Sequence, residues 1–304
     1  MNPGTTKRMK ILFADDGSPH AQAAVELVLD LPLPSKTKLK VIRVFPPGQT
    51  YAVGQMERNL ALTRQQFLDH GVQAQADLVL GYPAEMIVET ASEMKPDLTI
   101  LGAKGLRATL GILLGGVAQQ VVEYACCPVL VVRAPYSGLR RVLLVTDGSS
   151  YSQSALRYLT KFPLPEKVDV HLMHVLPPLT EPVIMEPYFG GRDAYVPLRT
   201  PEEEAKLQAK QEKDGKALLT RAQNLLLKQG LKAKPVLARG DAATEIIEYT
   251  KQEQIDLLVA GSRGLSQVRG WLMGSVSRKL VHYAGCSVLV VKQKEDKGRQ
   301  EHGK

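Results

Sequence analysis

Two halves of this 304-residue chain read as copies of one another, and that self-similarity restricts the fold more than any other feature. Lys10-Ile11-Leu12-Phe13-Ala14-Asp15-Asp16-Gly17-Ser18 matches Arg141-Val142-Leu143-Leu144-Val145-Thr146-Asp147-Gly148-Ser149, with Asp16 and Asp147 131 positions apart. Val41-Ile42-Arg43-Val44 matches Leu172-Met173-His174-Val175 at the same offset. From Gly81 and Gly240 onward the offset becomes 159, and it holds through Asp97–Gly102 with Asp256–Gly261 and through Cys127–Arg133 with Cys286–Lys292. The second copy therefore carries 28 additional residues between its second and third apolar runs. The boundaries read from this repeat are 1–137 for the first domain and 138–294 for the second, with a polar tail at 295–304 and the joint near Ala134–Gly138.

Within each copy short apolar runs alternate with helical stretches. In the first, the runs Ile11–Ala14, Leu39–Val44, Gln75–Leu80, Leu98–Leu101 and Val129–Val132 are separated by helical patterns at Ala21–Leu29, Gln55–His70, Ala84–Met94 and Val117–Tyr124. Ser18 followed by Pro19 predicts a helix start, because a hydroxyl caps free amides and proline needs no donor there. Gly71 and Gly230 predict left-handed helix ends. Strands alternating with helices imply right-handed crossovers and a parallel sheet covered on both faces. The expected fold is α/β: two tandem, doubly wound, five-stranded, mainly parallel sheets.

Composition sets bounds rather than a function. With 44% hydrophobic and 23% charged residues, the chain is ordinary for a globular protein, and disorder, collagen and coiled coil are excluded. The formal charge of +8 is spread, with bases interleaved among acids as in Glu202–Lys216, so a solvated basic surface is expected over a nucleic-acid groove. Cys126, Cys127 and Cys286 have no metal-ligand spacing and are read as buried thiols in a reducing compartment. Residues 1–10 are polar, and no apolar run reaches signal-peptide or membrane length, so a cytosolic location is expected. The segment Pro177–Pro201 is rich in Pro, Gly and Tyr; a lid over a site, a packed surface excursion and a partner contact all fit it.

Chemistry concentrates in one stretch of the second copy. Gly261-Ser262-Arg263-Gly264, nine residues, then Gly274-Ser275-Val276-Ser277 reads G-x-x-G-x9-G-S, following an apolar run that ends at Ala260. Glycines let a backbone approach a ligand, and a helix start offers unpaired amides with partial positive charge. With two serine hydroxyls this makes a phosphate cradle, although paired glycines after a strand also serve as tight turns. Asp147, Val175 and Gly240 close three other strands, and in a doubly wound sheet ligands bind where strand order reverses at those carboxyl ends. Asp147 could accept from a ribose hydroxyl or an adenine amine. Val175 could wall a purine, and Gly240 could serve only a bend.

On these residues the chain resembles the universal stress proteins in their tandem form, over nearly its whole length apart from the termini and the insert. The resemblance implies an adenine nucleotide alpha hydrolase-like fold with strand order 3-2-1-4-5. It also implies binding of ATP, or of ADP or AMP, in the second copy, with Mg²⁺ or Mn²⁺ often accompanying the nucleotide in that family. Position by position, Val145, Asp147 and Val175 match adenosine contacts, and Ala260, Gly261 and Gly264 match ribose and phosphate contacts. Gly274, Ser275, Val276 and Ser277 match the phosphate end. In the family the last strand pairs subunits; here Val129–Val132 and Val288–Val291 could pair internally as a pseudo-dimer, with a homodimer of whole chains as a further option.

The first copy keeps Gly102-Ala103-Lys104-Gly105 and the nine-residue spacer to Gly115, but Gly116 and Ala118 stand where the second copy has Ser275 and Ser277. Two lost hydroxyl donors are expected to cost about 1–3 kcal/mol, roughly five- to 150-fold in affinity, which reads as a degenerate copy. No Walker, G-x-G-x-x-G or G-x-S-x-G motif is present, and no acid or base is placed for a defined reaction. His174 is read as a hydrogen-bonded scaffold residue, and Ser149, Ser150 and Ser152 as capping residues. The leading functional reading is a nucleotide-dependent stress-response regulator read by an unknown protein partner. The alternatives are a slow ATPase or nucleotidyl-transfer enzyme, and a scaffold whose sites are empty or hold an apolar ligand.

Overall fold

The computed structural model describes residues 8–48, 53–105, 114–179, 201–265 and 273–293. The first repeat runs β1 (Lys10–Ala14), α1 (Pro19–Asp30), β2 (Lys38–Phe45), α2 (Val53–Asp69), β3 (Gln73–Leu80), α3 (Pro83–Met94), β4 (Leu98–Gly102), α4 (Gly116–Tyr124) and β5 (Val129–Val132). The second runs β6 (Arg141–Val145), α5 (Ser150–Leu159), β7 (Asp169–Leu176), α6 (Pro201–Lys228), β8 (Lys234–Arg239), α7 (Ala242–Gln252), β9 (Leu257–Gly261), α8 (Ser275–Tyr283) and β10 (Ser287–Val291).

Strand alternation divides the core. Ile11 and Phe13 face one side with α1 and α2, where Phe13 meets Phe67 edge-to-face at 5.4 Å. Leu12 and Ala14 face the other, with α3 and α4, and the second repeat does the same with α5 and α6 opposite α7 and α8. The strands are thus buried on both faces, as a parallel sheet between helix layers requires. Ser18 and Ser149 cap α1 and α5, accepting the amides of Ala21 at 3.1 Å and Ser152 at 3.2 Å. Gly71 and Gly230 end α2 and α6 at φ of 77° and 81°, each followed by an amide that reaches back to a carbonyl of the last turn.

Each repeat has the strand order 3-2-1-4-5, but the two are not separate sheets. They join into one ten-stranded sheet, β3-β2-β1-β4-β5-β10-β9-β6-β7-β8, parallel throughout except at its centre. There β5 and β10 run antiparallel, with Val131 opposite Val288 and Val129 opposite Val290. The internal pairing of the two last strands is therefore the arrangement found, and neither is left as a free edge for a second chain. The outer edges are β3 and β8; Pro235 fits the edge strand β8, where its missing amide donor costs nothing.

Reciprocal side chains tie the joint. Arg133, just past β5, is buried and donates Nη2 to the Val281 carbonyl at 2.7 Å and Nε to the Cys286 carbonyl at 3.2 Å, at the carboxyl end of α8. Lys292, its repeat counterpart, donates Nζ to the Glu123 carbonyl at 3.0 Å, at the carboxyl end of α4. A cation at a helix carboxyl terminus satisfies orphan carbonyls and complements the helix dipole.

The insert lies mostly outside the described residues. Its carboxyl end runs into α6, 28 residues long against 17 for α2. Gly215 lets that helix press on the sheet: a Cβ there would sit 2.9 Å from Leu176 and 3.3 Å from His174.

Candidate functional site

The order 3-2-1-4-5 reverses at β1 and β6, so the crevice of each repeat opens between the carboxyl ends of β1 and β4, or of β6 and β9. In the second repeat Asp147 follows β6 and turns the chain into α5, its Oδ1 accepting the Ser149 amide at 3.0 Å. Its Oδ2 faces Gly264, where a Cβ would come within 2.7 Å of it. Gly274 lies on the same loop, its amide donating to the Ser262 carbonyl at 2.9 Å, and a Cβ there would sit 3.3 Å from the Arg263 Cα. Asp147, Gly264 and Gly274 thus lie around one loop, with little room for a side chain at either glycine.

The helix start is bare. Gly274 caps α8 without any side-chain hydrogen bond, so the first-turn amides of Ser275, Val276 and Ser277 keep the free donors of a helix amino terminus. Ser275 is exposed beside them. Val145 and Val175 are half-buried against the apolar cluster on that side of the sheet.

Two positions work differently from a direct phosphate contact. Ser277 is buried, and its hydroxyl donates to the Gly261 carbonyl at 2.7 Å, so it braces α8 against β9. Gly261 is buried too; a Cβ there would meet the Tyr151 backbone at 2.7 Å, so this glycine admits the first turn of α5 against the sheet. Ala260 is likewise buried in the strand. Gly240, at φ 151°, avoids the Glu245 carboxylate, which supports the reading of a bend.

The spacing alone missed Arg263. Its guanidinium lies 5.7 Å from the Tyr151 ring centroid and donates to the Tyr151 hydroxyl at 3.3 Å, placing a cation beside the glycine loop. The signal was present in the repeat, since Lys104 holds the same place in the first copy. His174 is a scaffold residue at the floor, its Nδ1–H donating to the Thr146 carbonyl at 2.8 Å. His171 is buried between Asp169 at 3.0 Å and the Tyr249 hydroxyl at 2.8 Å, a fully partnered ring. Ser152 is buried within 3.2 Å of Thr146 Oγ1, which places it in the cap rather than on the surface.

The first repeat contains an open cavity of about 340 Å³ at the equivalent crevice, within the usual range for small-molecule sites. Ile42, Val44, Ile87, Leu101, Leu114 and Val117 form most of its wall, with Asp15, Asp16 and glycine backbone at one end. Arg43, the counterpart of His174, is locked there in a buried pair with Asp15, Nη2 to Oδ2 at 2.6 Å, and Thr63 donates to the same oxygen at 2.9 Å.

A family model described as the universal stress protein family matches residues 7–133 and again residues 138–292. The chain belongs to the universal stress protein family. Universal stress protein YxiE of Bacillus subtilis is 29% identical over 152 residues, covering 50% of this chain and 98% of its own. A universal stress protein of Mycolicibacterium smegmatis is 28% identical over 231 residues, 73% of this chain and 70% of its own. The crystal structure of a universal stress protein from Archaeoglobus fulgidus superposes with a TM-score of 0.62 at 18% identity, covering 95% of this chain and 98% of that one, which shows the shared fold. Among the described residues of this universal stress protein no helix is long and apolar enough to cross a membrane.

Proposed function

We propose that this universal stress protein binds an adenine nucleotide in its second repeat, ATP foremost, and acts as a nucleotide-dependent regulator of a stress response. One observation carries the reading: the uncapped start of α8 is folded onto the Arg263–Gly264 loop opposite Asp147. A polyphosphate would meet the amides of Ser275–Ser277, the Ser275 hydroxyl and the Arg263 guanidinium. The sugar would lie towards Asp147 Oδ2, and the base against Val145 and Val175.

Metal ligation by the protein is not part of this reading. Among the described residues no group of three or more His, Cys, Asp or Glu side chains gathers. Asp147 stands alone with one oxygen already committed to a backbone amide. A divalent ion at this site would depend on the phosphates, and no step is derived through it. Bound ATP would order the loop from Ser262 to Met273, of which 266–272 lie outside the described residues.

Calorimetric titration of nucleotide-stripped protein with ATP tests the proposal. Saturable binding that Gly274→Ala combined with Ser275→Ala weakens by about tenfold is the expected result, near 1.4 kcal/mol for a lost charge-assisted donor and a crowded approach. Absence of heat at millimolar ATP, with no nucleotide extracted from the purified protein, overturns it.

A further inference from the structure

The helices α4 and α8 meet at the joint between the repeats. A small void of about 10 Å³, too small for a ligand, lies between them. Each residue lining it has its repeat counterpart, 159 positions away, lining it too: Leu114 with Met273, Val122 with Val281, Glu123 with His282. The void thus marks the pseudo-two-fold axis that relates the repeats. Beside it Arg278 Nη2 reaches Glu123 Oε1 at 3.4 Å, holding α8 to α4. Leu114 and Met273 are buried and belong to one apolar cluster. Each directly precedes the glycine that caps its helix, Gly115 or Gly274. Among the described residues Leu114 alone lines both this void and the first-repeat cavity.

We propose that Leu114 is a positioning residue for the opposite repeat: sharing the axis with Met273, it fixes Gly274 and with it the start of α8. Close packing transmits such a constraint, because a buried side chain moves only where its neighbours leave room. Met273 is unbranched and adaptable, so its place is set by what surrounds it. Gly274 has little freedom of its own. Its amide donates to the Ser262 carbonyl at 2.9 Å, its carbonyl accepts the Arg278 amide at 3.0 Å, and a Cβ on it would sit 3.3 Å from the Arg263 Cα. A Met273 that slides towards the axis would therefore draw Gly274 away from Arg263 and re-aim the free amides of Ser275–Ser277. The functional consequence rests on the nucleotide site proposed above. A molecule pressing on Leu114 from the first-repeat cavity would alter nucleotide affinity in the second repeat, and nucleotide binding would reshape that cavity in return, since coupling between sites is reciprocal.

Hydrogen exchange of the full chain, followed by NMR at the Gly274 and Arg278 amides with and without ATP, reads the helix start directly. Leu114→Ala vacates the axis and should speed exchange at both amides by about tenfold. It should also raise the ATP concentration that half-protects them by about fivefold. Leu114→Met, which nearly conserves volume, should restore both values. Ile87→Ala is the control: Ile87 is buried and lines the same cavity but not the void, so truncation there should leave both amides as in the parent. Urea titration of each variant keeps global unfolding from passing as local opening. Unchanged exchange in Leu114→Ala, no recovery in Leu114→Met, or the same acceleration in Ile87→Ala each overturns the proposal. Faster exchange in Leu114→Ala alone, with no protection of the parent by ATP, upholds the positioning role and removes the nucleotide reading instead.

Discussion

Lys292 makes the joint between the repeats pH-sensitive, and Lys292→Met measures by how much. Burial, and after it the nearby Arg263 charge, lower this ammonium from its ordinary 10.5 to about 8. Below pH 8 the folded and unfolded chains both carry the proton, and folding bears the whole cost of confining the charge, about 3 kcal/mol at 1.36 kcal/mol per pH unit. Between about 8 and 10.5 the unfolded chain holds a proton that the folded chain has released, so unfolding free energy rises with pH. Above that window neither form is charged and the gain is complete; it is lost again as pH falls through 8. Methionine fills nearly the same volume with no charge, removing the penalty but leaving the Glu123 carbonyl without its 3.0 Å donor, a loss of about 1 kcal/mol. The variant should therefore be more stable than the parent by about 2 kcal/mol at pH 7 and less stable by about 1 kcal/mol near pH 10.5. Urea titrations of both proteins at several pH values give the difference, in which every other titrating group cancels. A difference that stays constant from pH 7 to pH 10.5 refutes the reasoning.

Alkylation should separate the three thiols. Cys126 is exposed, whereas burial pushes Cys127 and Cys286 up to about 11, so iodoacetamide at neutral pH should add one label, at Cys126 by peptide mass; rapid labelling of all three contradicts this. Asp15→Asn should cost about 3–5 kcal/mol in urea unfolding, because it strands Arg43 in a buried site, and a loss below 1 kcal/mol would show the pair to be solvated. Gly264→Ala should weaken ATP binding by about tenfold, since its Cβ would displace the Asp147 carboxylate 2.7 Å away, and an unchanged titration would remove Asp147 from the site.

The repeat arithmetic made most of the fold legible. Val129–Val132 is a strand with the ends read for it, and the helix caps at Ser18 and Gly71 follow from residue chemistry that acts within one turn. The merging of the two sheets depended on long-range geometry: β5 and β10 are 159 positions apart, and only their antiparallel register makes a single sheet. Of the three thiols expected to be buried only Cys127 is, packed beside Thr99; its neighbour Cys126 points the other way and is exposed, and Cys286 is half-buried. Site glycines could be picked out by spacing, but their tasks could not. Gly264 makes room beside a carboxylate, whereas Gly261 makes room for a helix backbone, and both are written with the same letter. Ser277 likewise looked like a ligand donor until its carbonyl partner was visible.

That last point alters what the divergence between the repeats means. If Ser277 braces α8 rather than touching phosphate, its replacement by Ala118 removes a tie between α4 and β4, not a ligand contact. The one hydroxyl lost from the exposed helix start is then that of Ser275, and Gly116 leaves open space in its stead. Its loss is only part of the roughly 1–3 kcal/mol expected for two hydroxyls, and the start of α4, which has no side-chain cap, keeps its free amides. The first-repeat crevice keeps an open cavity of about 340 Å³. The cross-braces then take on a second consequence: Lys292 holds the carboxyl end of the helix whose amino end lines that cavity, and lies within electrostatic reach of Arg263 in the other site. A polyanion that neutralises Arg263 would favour the charged form of Lys292 and tighten its hold on α4, so ATP binding near pH 8 should take up protons, measurable as a buffer-dependent heat that Lys292→Met abolishes.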